Sequence, residues 1–93
     1  MRRSFADKDT ERVWRRERSR RLDVPTQRAA LRKLAVLDAA EVLGDLRVPP
    51  GNRPDNLAGN RAEKHSVRIN QRWRVCFRWS AGGADDVEIV DHH

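Results

Sequence analysis

The 93 residues of the chain include 20 Lys or Arg and 14 Asp or Glu, a formal net charge of +6. This predicts a single small domain over residues 1–93 with polyanionic partners such as nucleic acid. A single cysteine, Cys76, excludes an internal disulfide and every multi-cysteine metal site. Because no apolar run approaches the length of a membrane span and no signal peptide is recognisable, we expect a cytoplasmic protein with no membrane partner.

The N-terminal part predicts a short strand followed by a helix. The strand is expected at Arg3–Phe5, and Asp7 or Asp9 can cap a helix over Thr10–Arg20. The arginine-rich run Arg12–Arg21 is typical either of a nucleic-acid-binding arm or of a charged, solvated helix face. Two glutamates in and beside the run favour the solvated face.

A second helix is predicted over Thr26–Leu43. Leucines and alanines recur on one face at helical spacing, Pro25 suits the first turn and Gly44 suits a C-cap. The apolar face can pack on a sheet or recruit a partner, and packing is favoured. The segment Val48–Asn60, rich in Pro, Gly and Asn, predicts a long loop, and loops of this length in a small domain are often functional.

The last third of the chain alternates apolar and polar residues, which predicts strands at Glu63–Ile69, Trp73–Ser80 and Asp86–Asp91. Two helices and these strands predict an α+β domain, with the N-terminal helices packed on a small, mainly antiparallel sheet. One sheet face is apolar and the other is cationic, with planar donors that suit phosphate. The cationic residues are Arg68, Arg74 and Arg78.

Four other residues on these strands have both a functional and a packing interpretation. Cys76 lies on the polar register and is conceivable as a nucleophile, but nothing in the sequence activates it. His65 shares its register with apolar neighbours, as do Trp73 and Trp79. Packing is the favoured interpretation for all four.

The chain ends in Asp91, His92 and His93, groups that can move protons near neutral pH. Together with the cationic face they indicate a site that binds RNA and cleaves it. Such cleavage needs a group that activates the ribose 2′-hydroxyl, a group that protonates the departing 5′-oxygen, and cations that hold the phosphorane. Arg, Asp and His can supply all three, and no metal-ligand spacing exists, so we expect neither metal nor cofactor.

Four segments follow one another in a recognisable order: Pro49–Arg53, Leu57–Arg61, Ser66–Trp79 and Glu88–His93. In this order they resemble the HigB toxins of bacterial type II toxin–antitoxin modules, within the RelE/ParE superfamily, and the resemblance spans nearly the whole chain. It implies a RelE-like fold and a ribosome-dependent endoribonuclease, an mRNA interferase that cleaves mRNA at the decoding site and inhibits translation.

The resemblance also implies roles for individual residues. Arg74 corresponds to the arginine after the family's tryptophan, and would hold the scissile phosphate and stabilise its transition-state charge. Asp91 and His93 correspond to a terminal Asp-Tyr-His motif, in which His93 would transfer the proton and Asp91 would orient it or a nearby base. His92 stands at the tyrosine position, where it can stack on a base or donate a proton. A purification-tag remnant is the alternative for the two histidines, but family members end with histidine at this point.

Three arginines are candidates for RNA contacts. Resemblance and sheet face agree for Arg61 and Arg68, while Arg78 is either a further contact or a surface charge. Two departures from the family pattern predict weakened activity or an altered pH profile. The chain contains no tyrosine, and Ala58 and Asp55 occupy places where related toxins often carry a lysine or a histidine.

The partners implied by the resemblance are a HigA-like helix-turn-helix antitoxin, the ribosome and mRNA, with operator DNA contacted only through the antitoxin complex. Two other functions stay open at this point. One is a catalytically weak toxin-fold binding module that acts through its antitoxin in operon regulation, which the two departures motivate. The other is a general nucleic-acid-binding protein, which the basic composition motivates.

Overall fold

Two helices precede an antiparallel sheet in the computed structural model, which describes residues 4–47, 55–56, 64–80 and 83–91. The helices are α1 (Lys8–Trp14) and α2 (Val24–Ala39), and a 3₁₀ helix follows at Leu43–Arg47. The strands are β1 (Asp55–Asn56), β2 (Lys64–Arg68), β3 (Trp73–Ser80) and β4 (Gly83–Asp91), in the spatial order β1-β2-β3-β4. The predicted α+β arrangement of helices on an antiparallel sheet is confirmed.

The strands follow the predicted alternation, with differences at their ends. Strand β3 has the predicted bounds, β2 ends one residue early at Arg68, and β4 begins at Gly83 rather than Asp86. A β-bulge interrupts the β3–β4 register between Cys76 and Arg78, and Asp86 has a φ of 51° on the β4 side. The extra residue at a bulge interrupts the alternation of apolar and polar side chains. The sequence pattern therefore did not predict that β4 begins before Asp86.

Within the predicted loop Val48–Asn60, Asp55 and Asn56 pair with Ser66 and His65 of β2. The expectation of a loop without secondary structure is therefore wrong at these two residues. Backbone hydrogen bonding to β2 needs no apolar alternation, so the sequence pattern does not reveal so short an edge strand. The other residues of the predicted loop lie outside the described part.

Helix α1 starts earlier and ends much earlier than predicted. The Asp7 carboxylate accepts a hydrogen bond of 2.7 Å from the Thr10 backbone N–H, which caps the helix as expected of Asp7. The prediction of a helix to Arg20 is wrong, because the helix ends at Trp14 and Arg16 takes a φ of 65°. A positive φ does not fit a right-handed helix, so the chain leaves the helical path there.

A glutamine of α2 holds the segment that follows α1. The Gln27 side chain accepts from the Ser19 backbone N–H at 2.9 Å and donates to the Glu17 carbonyl at 2.7 Å. Arg18 donates to the Leu22 carbonyl at 2.5 Å. These side-chain bonds satisfy backbone groups of the segment between α1 and α2, which is not helical.

Helix α2 begins at a capping aspartate and ends before its predicted limit. The Asp23 carboxylate accepts from the Thr26 N–H at 2.8 Å, and this bonding lowers the pKa of Asp23. The helix ends at Ala39 rather than Leu43, so the predicted C-cap role of Gly44 is also wrong. The reason lies in Asp45, whose carboxylate accepts from two backbone N–H groups just after the helix.

The helices cover one face of the sheet. Leu34 and Leu37 of α2 are fully buried in a cluster with Val75 and Phe77 of β3, and Val13 brings α1 into the same cluster. By alternation, the side chains of Arg68 and Arg74 lie on the opposite face of the sheet. None of the helices in the described part of the chain is long and apolar enough to cross a membrane.

The outer edge of β4 is also covered. Phe5 forms an isolated parallel bridge to Val87, with the Val87 N–H donating to the Ser4 carbonyl and the Ala6 N–H to the Val87 carbonyl, both at 2.9 Å. The predicted N-terminal strand is thus a single bridge in the described residues. The Thr10 hydroxyl accepts from the Ile89 N–H at 2.9 Å, so a helix side chain continues the pairing.

Candidate nucleic-acid interface

Two arginines lie directly opposite one another on neighbouring strands. Arg68 of β2 and Arg74 of β3 are Cα partners in the antiparallel register, on the sheet face away from the helices. Both side chains are half-buried. Like charges directly opposite in a sheet are destabilising, and an anion between them removes the repulsion. The pair therefore has the charge and the planar donors that suit an anion, on two neighbouring strands.

Hydrogen bonds donated by Nε orient both guanidinium groups. Arg74 Nε donates to the Ser66 hydroxyl at 2.9 Å, and Ser66 is almost fully buried on β2. Arg68 Nε donates to the Asn70 carbonyl at 3.1 Å. Within the described part of the chain, no residue accepts a hydrogen bond from the two terminal nitrogens of Arg68, which leaves them for a ligand.

Asn70 builds the turn that sets these two arginines opposite each other. Its side-chain oxygen accepts from the backbone N–H groups of Arg72 at 2.9 Å and Trp73 at 2.8 Å. The Ile69 N–H donates to the Trp73 carbonyl at 2.9 Å, which closes the hairpin. The sequence indicates a turn here, but it does not single out Asn70 as the residue that fixes the register.

Asp91 is on the other side of the sheet from Arg74. Its Cα partner is Trp73, whereas the partner of Arg74 is Val90, so alternation places Asp91 on the helix-facing side at the end of β4. Its Oδ2 atom accepts from Arg72 Nε at 2.9 Å and Nη2 at 2.8 Å. This hydrogen bond raises the pKa of Arg72. The structure thus brings Arg68 and Arg74 together but not Asp91 and Arg74.

The remaining candidates are either more distant or not described. Arg78 is four residues beyond Arg74 on β3, roughly 13 Å along the strand. Its Nε lies 3.7 Å from the Asp86 carboxylate, and its side chain is exposed. Arg61, His92 and His93 lie outside the described residues, so their predicted roles stay predictions.

The structure supports the packing interpretation over the functional one for His65, Trp79 and Cys76. The His65 ring stacks on Phe77 with a centroid distance of 5.8 Å, and burial lowers the pKa of His65. Trp79 meets the same phenylalanine edge-on at 6.4 Å, and Cys76 is buried with a free thiol.

The arginine-rich run is largely engaged with the protein itself. Arg12 lies 3.7 Å from Asp9, and Arg15 lies 3.0 Å from Glu11. These are pairs within α1 and just after it, as on a charged, solvated helix face. The structure therefore favours that interpretation over a nucleic-acid-binding arm.

Arg21 makes contacts with the sheet that the sequence did not reveal. Its guanidinium carbon lies 5.5 Å from the centre of the Trp73 ring, and Arg72 lies 5.2 Å from the same centre. Arg21 also donates to the Ile89 carbonyl of β4. The only sequence signal is an arginine in a charged run, which does not indicate a partner 68 residues away.

Comparison with known proteins places this chain in a family. A family model described as the RelE-like toxin of type II toxin–antitoxin system HigB matches residues 3–93. Toxin HigB-1 of Vibrio cholerae serotype O1 is 39% identical over 90 residues, which cover 95% of this chain and 94% of the relative. An uncharacterized protein of Haemophilus influenzae is 28% identical over 61 residues, 66% of this chain and 60% of that protein.

Proposed function

Because the chain belongs to the family of HigB-like, RelE-like toxins of type II toxin–antitoxin systems, we propose that it is a ribosome-dependent endoribonuclease. It cleaves mRNA at the decoding site of the ribosome and so inhibits translation. The observation that carries this proposal is the cross-strand pair of Arg68 and Arg74, with both guanidinium groups oriented on the sheet face opposite the helices. Such a pair suits a phosphodiester.

In the proposed reaction, the ribose 2′-oxygen attacks the adjacent phosphorus and the bond to the 5′-oxygen breaks. A base takes the 2′-hydroxyl proton, and an acid gives a proton to the departing 5′-oxygen. The products are a 2′,3′-cyclic phosphate and a 5′-hydroxyl. Arg74 binds the scissile phosphate and stabilises the charge of the phosphorane, since the Ser66 hydroxyl holds its Nε in place before the substrate arrives.

The other roles follow from the family resemblance and from charge. His93 transfers a proton, and His92 takes the position of the family's tyrosine. Arg68 binds a phosphate next to the scissile one, while Arg61 and Arg78 extend the basic surface along the RNA. These contacts depend on phosphate attraction and weaken as salt is raised.

The partner of such a toxin is an antitoxin, and we propose a helix-turn-helix protein of the HigA type, through which the complex contacts operator DNA. A toxin that cleaves mRNA on the ribosome acts where translation occurs, so we place this chain in the cytoplasm. Co-expression with an antitoxin from the same operon tests the partnership. Stable co-purification and relief of growth arrest are expected, and persistent toxicity contradicts it.

The enzymatic proposal is tested by incubating the purified chain with mRNA programmed on bacterial 70S ribosomes, beside the same mRNA without ribosomes. We expect cuts at the ribosomal A site only when ribosomes are present. Cleavage of free mRNA alone contradicts ribosome dependence. No cleavage in either sample supports a catalytically weak toxin-fold module that acts through its antitoxin.

A further inference from the structure

Three side chains hold the end of strand β4, and we call them the Trp73 clamp: Arg21, Arg72 and Trp73. Both guanidinium carbons lie over the Trp73 ring, at 5.5 Å and 5.2 Å from its centre. Arg21 donates to the Ile89 carbonyl, and Arg72 donates twice to one oxygen of Asp91. The last residues of β4 are thus held at two points by two arginines on one aromatic ring.

The clamp is anchored to two other parts of the fold. Arg21 lies 3.7 Å from the Asp7 carboxylate and 3.8 Å from that of Asp9, at the start of α1. Arg72 belongs to the β2–β3 turn, where its backbone N–H donates to Asn70. A single exposed ion pair contributes little to stability. Arg72, however, donates from two nitrogens to Asp91 and lies over the Trp73 ring, so both the direction of its side chain and its distance from Asp91 are fixed.

The clamp and the candidate phosphate-binding arginine share one strand. Trp73 and Arg74 are consecutive in β3, so their side chains leave the same short backbone segment on opposite sheet faces. Asp91 pairs with Trp73 and Val90 with Arg74. Whatever fixes Asp91 against Trp73 therefore fixes the end of β4 relative to Arg74.

We propose that Arg72 is a positioning residue for RNA cleavage. By holding the Asp91 carboxylate, to which the family resemblance gives the role of orienting the proton-transfer group, it fixes the end of β4 relative to Arg74, and this inference rests on the proposed function. Proton transfer depends steeply on such placement, since a displacement of ~1 Å can cost on the order of 100-fold in rate. Arg72 acts through Asp91 and not by binding the RNA itself.

The test compares Arg72→Ala, Arg72→Lys, Asp91→Asn and the double variant Arg72→Ala/Asp91→Asn in ribosome-dependent cleavage. We expect Arg72→Ala to lower kcat by on the order of 10-fold with KM for programmed ribosomes little changed, and Arg72→Lys to retain part of the rate. The double variant is expected to be no slower than the slower single variant, because both changes break the same contact. A raised KM with additive effects overturns the proposal, since it indicates direct RNA binding by Arg72.

A matched control variant and a measurement that does not depend on cleavage test whether Arg72 holds the end of β4. Arg15→Ala removes an equally exposed arginine and its ion pair with Glu11, and we expect unchanged cleavage. Amide hydrogen exchange at Val90 and Asp91 should be faster in Arg72→Ala than in Arg15→Ala, with equal thermal midpoints. Equal exchange overturns the clamp. If the unmodified chain fails to cleave on ribosomes, the proposed function fails, while the exchange comparison still decides whether Arg72 holds the strand end.

Discussion

At the scale of single residues, the shape of the Arg74 side chain matters as much as its charge. Its Nε donates to the Ser66 hydroxyl, which fixes the plane of the guanidinium, and a planar group of donors suits phosphate. We predict that Arg74→Lys, which keeps the charge, lowers kcat by roughly 10- to 100-fold because a lysine cannot donate to Ser66 and clamp the phosphate with fixed geometry. Single-turnover cleavage on programmed ribosomes measures this. A fully active lysine variant would show that charge alone suffices.

His65 is a residue whose ionisation is coupled to folding. Burial against Phe77 lowers its pKa, so the unfolded chain holds this proton more tightly than the folded chain does. The stabilisation from packing the neutral His65 ring is therefore fully present above the ordinary histidine pKa of about 6.5. It decreases as the pH falls from there towards the lower pKa of the folded state. Imidazole NMR titration should give a pKa below 6.5 for His65. In His65→Gln, the free energy of unfolding should fall less between pH 8 and pH 5.5 than in the unmodified chain, and an identical decrease contradicts the account.

At the scale of elements, the β2–β3 hairpin depends on one amide side chain. Asn70 accepts hydrogen bonds from two backbone N–H groups of the turn, so Asn70→Ala leaves both to find other partners. We predict a loss of about 1–2 kcal/mol in the free energy of unfolding, measured in urea. The neighbouring exposed Gln71→Ala is the control and should change it by less than about 0.5 kcal/mol. Equal effects of the two variants would exclude the turn role of Asn70.

The elements also show how far the sequence predicts this fold. Strand β3 was predicted to the residue, because apolar residues alternate with mostly polar ones along its whole length. The end of α1 was not, because Arg15 and Arg16 are good helix formers and the stop depends on bonds to Gln27, far along the chain. Likewise the end of α2 depends on a side chain of Asp45 rather than on Gly44.

The candidate site was predictable from the sequence in part, because the alternation along the strands assigns side chains to one sheet face or the other. A period of two is enough to place Arg68 and Arg74 on one cationic face. It also places Asp91 with Val87 and Ile89 on the helix-facing side, so a joint site with Arg74 on one face was not supported by the alternation itself. The contact between Arg72 and Asp91 needs the β3–β4 register, which alternation does not supply.

At the scale of the whole molecule, α1, α2 and the sheet share one buried cluster. Trp14 on α1 and Trp73 and Trp79 on β3 all pack against that cluster, so tryptophan fluorescence reports on both layers. We predict a single cooperative unfolding transition, with the same midpoint by fluorescence and by far-UV circular dichroism. Two separated midpoints would show that helices and sheet unfold independently, and would contradict a single domain.

In the proposed function, the whole molecule acts on a ribosome through Arg68 and Arg74, on the sheet face opposite the helices. The most direct measurement is the rate of A-site mRNA cleavage on programmed 70S ribosomes by the unmodified chain, Arg74→Ala and Arg28→Ala, a variant with the same loss of charge on the exposed surface of α2. We predict ribosome-dependent cleavage that Arg74→Ala abolishes and Arg28→Ala retains. Equal cleavage by all three proteins, or none by the unmodified chain, would contradict this account.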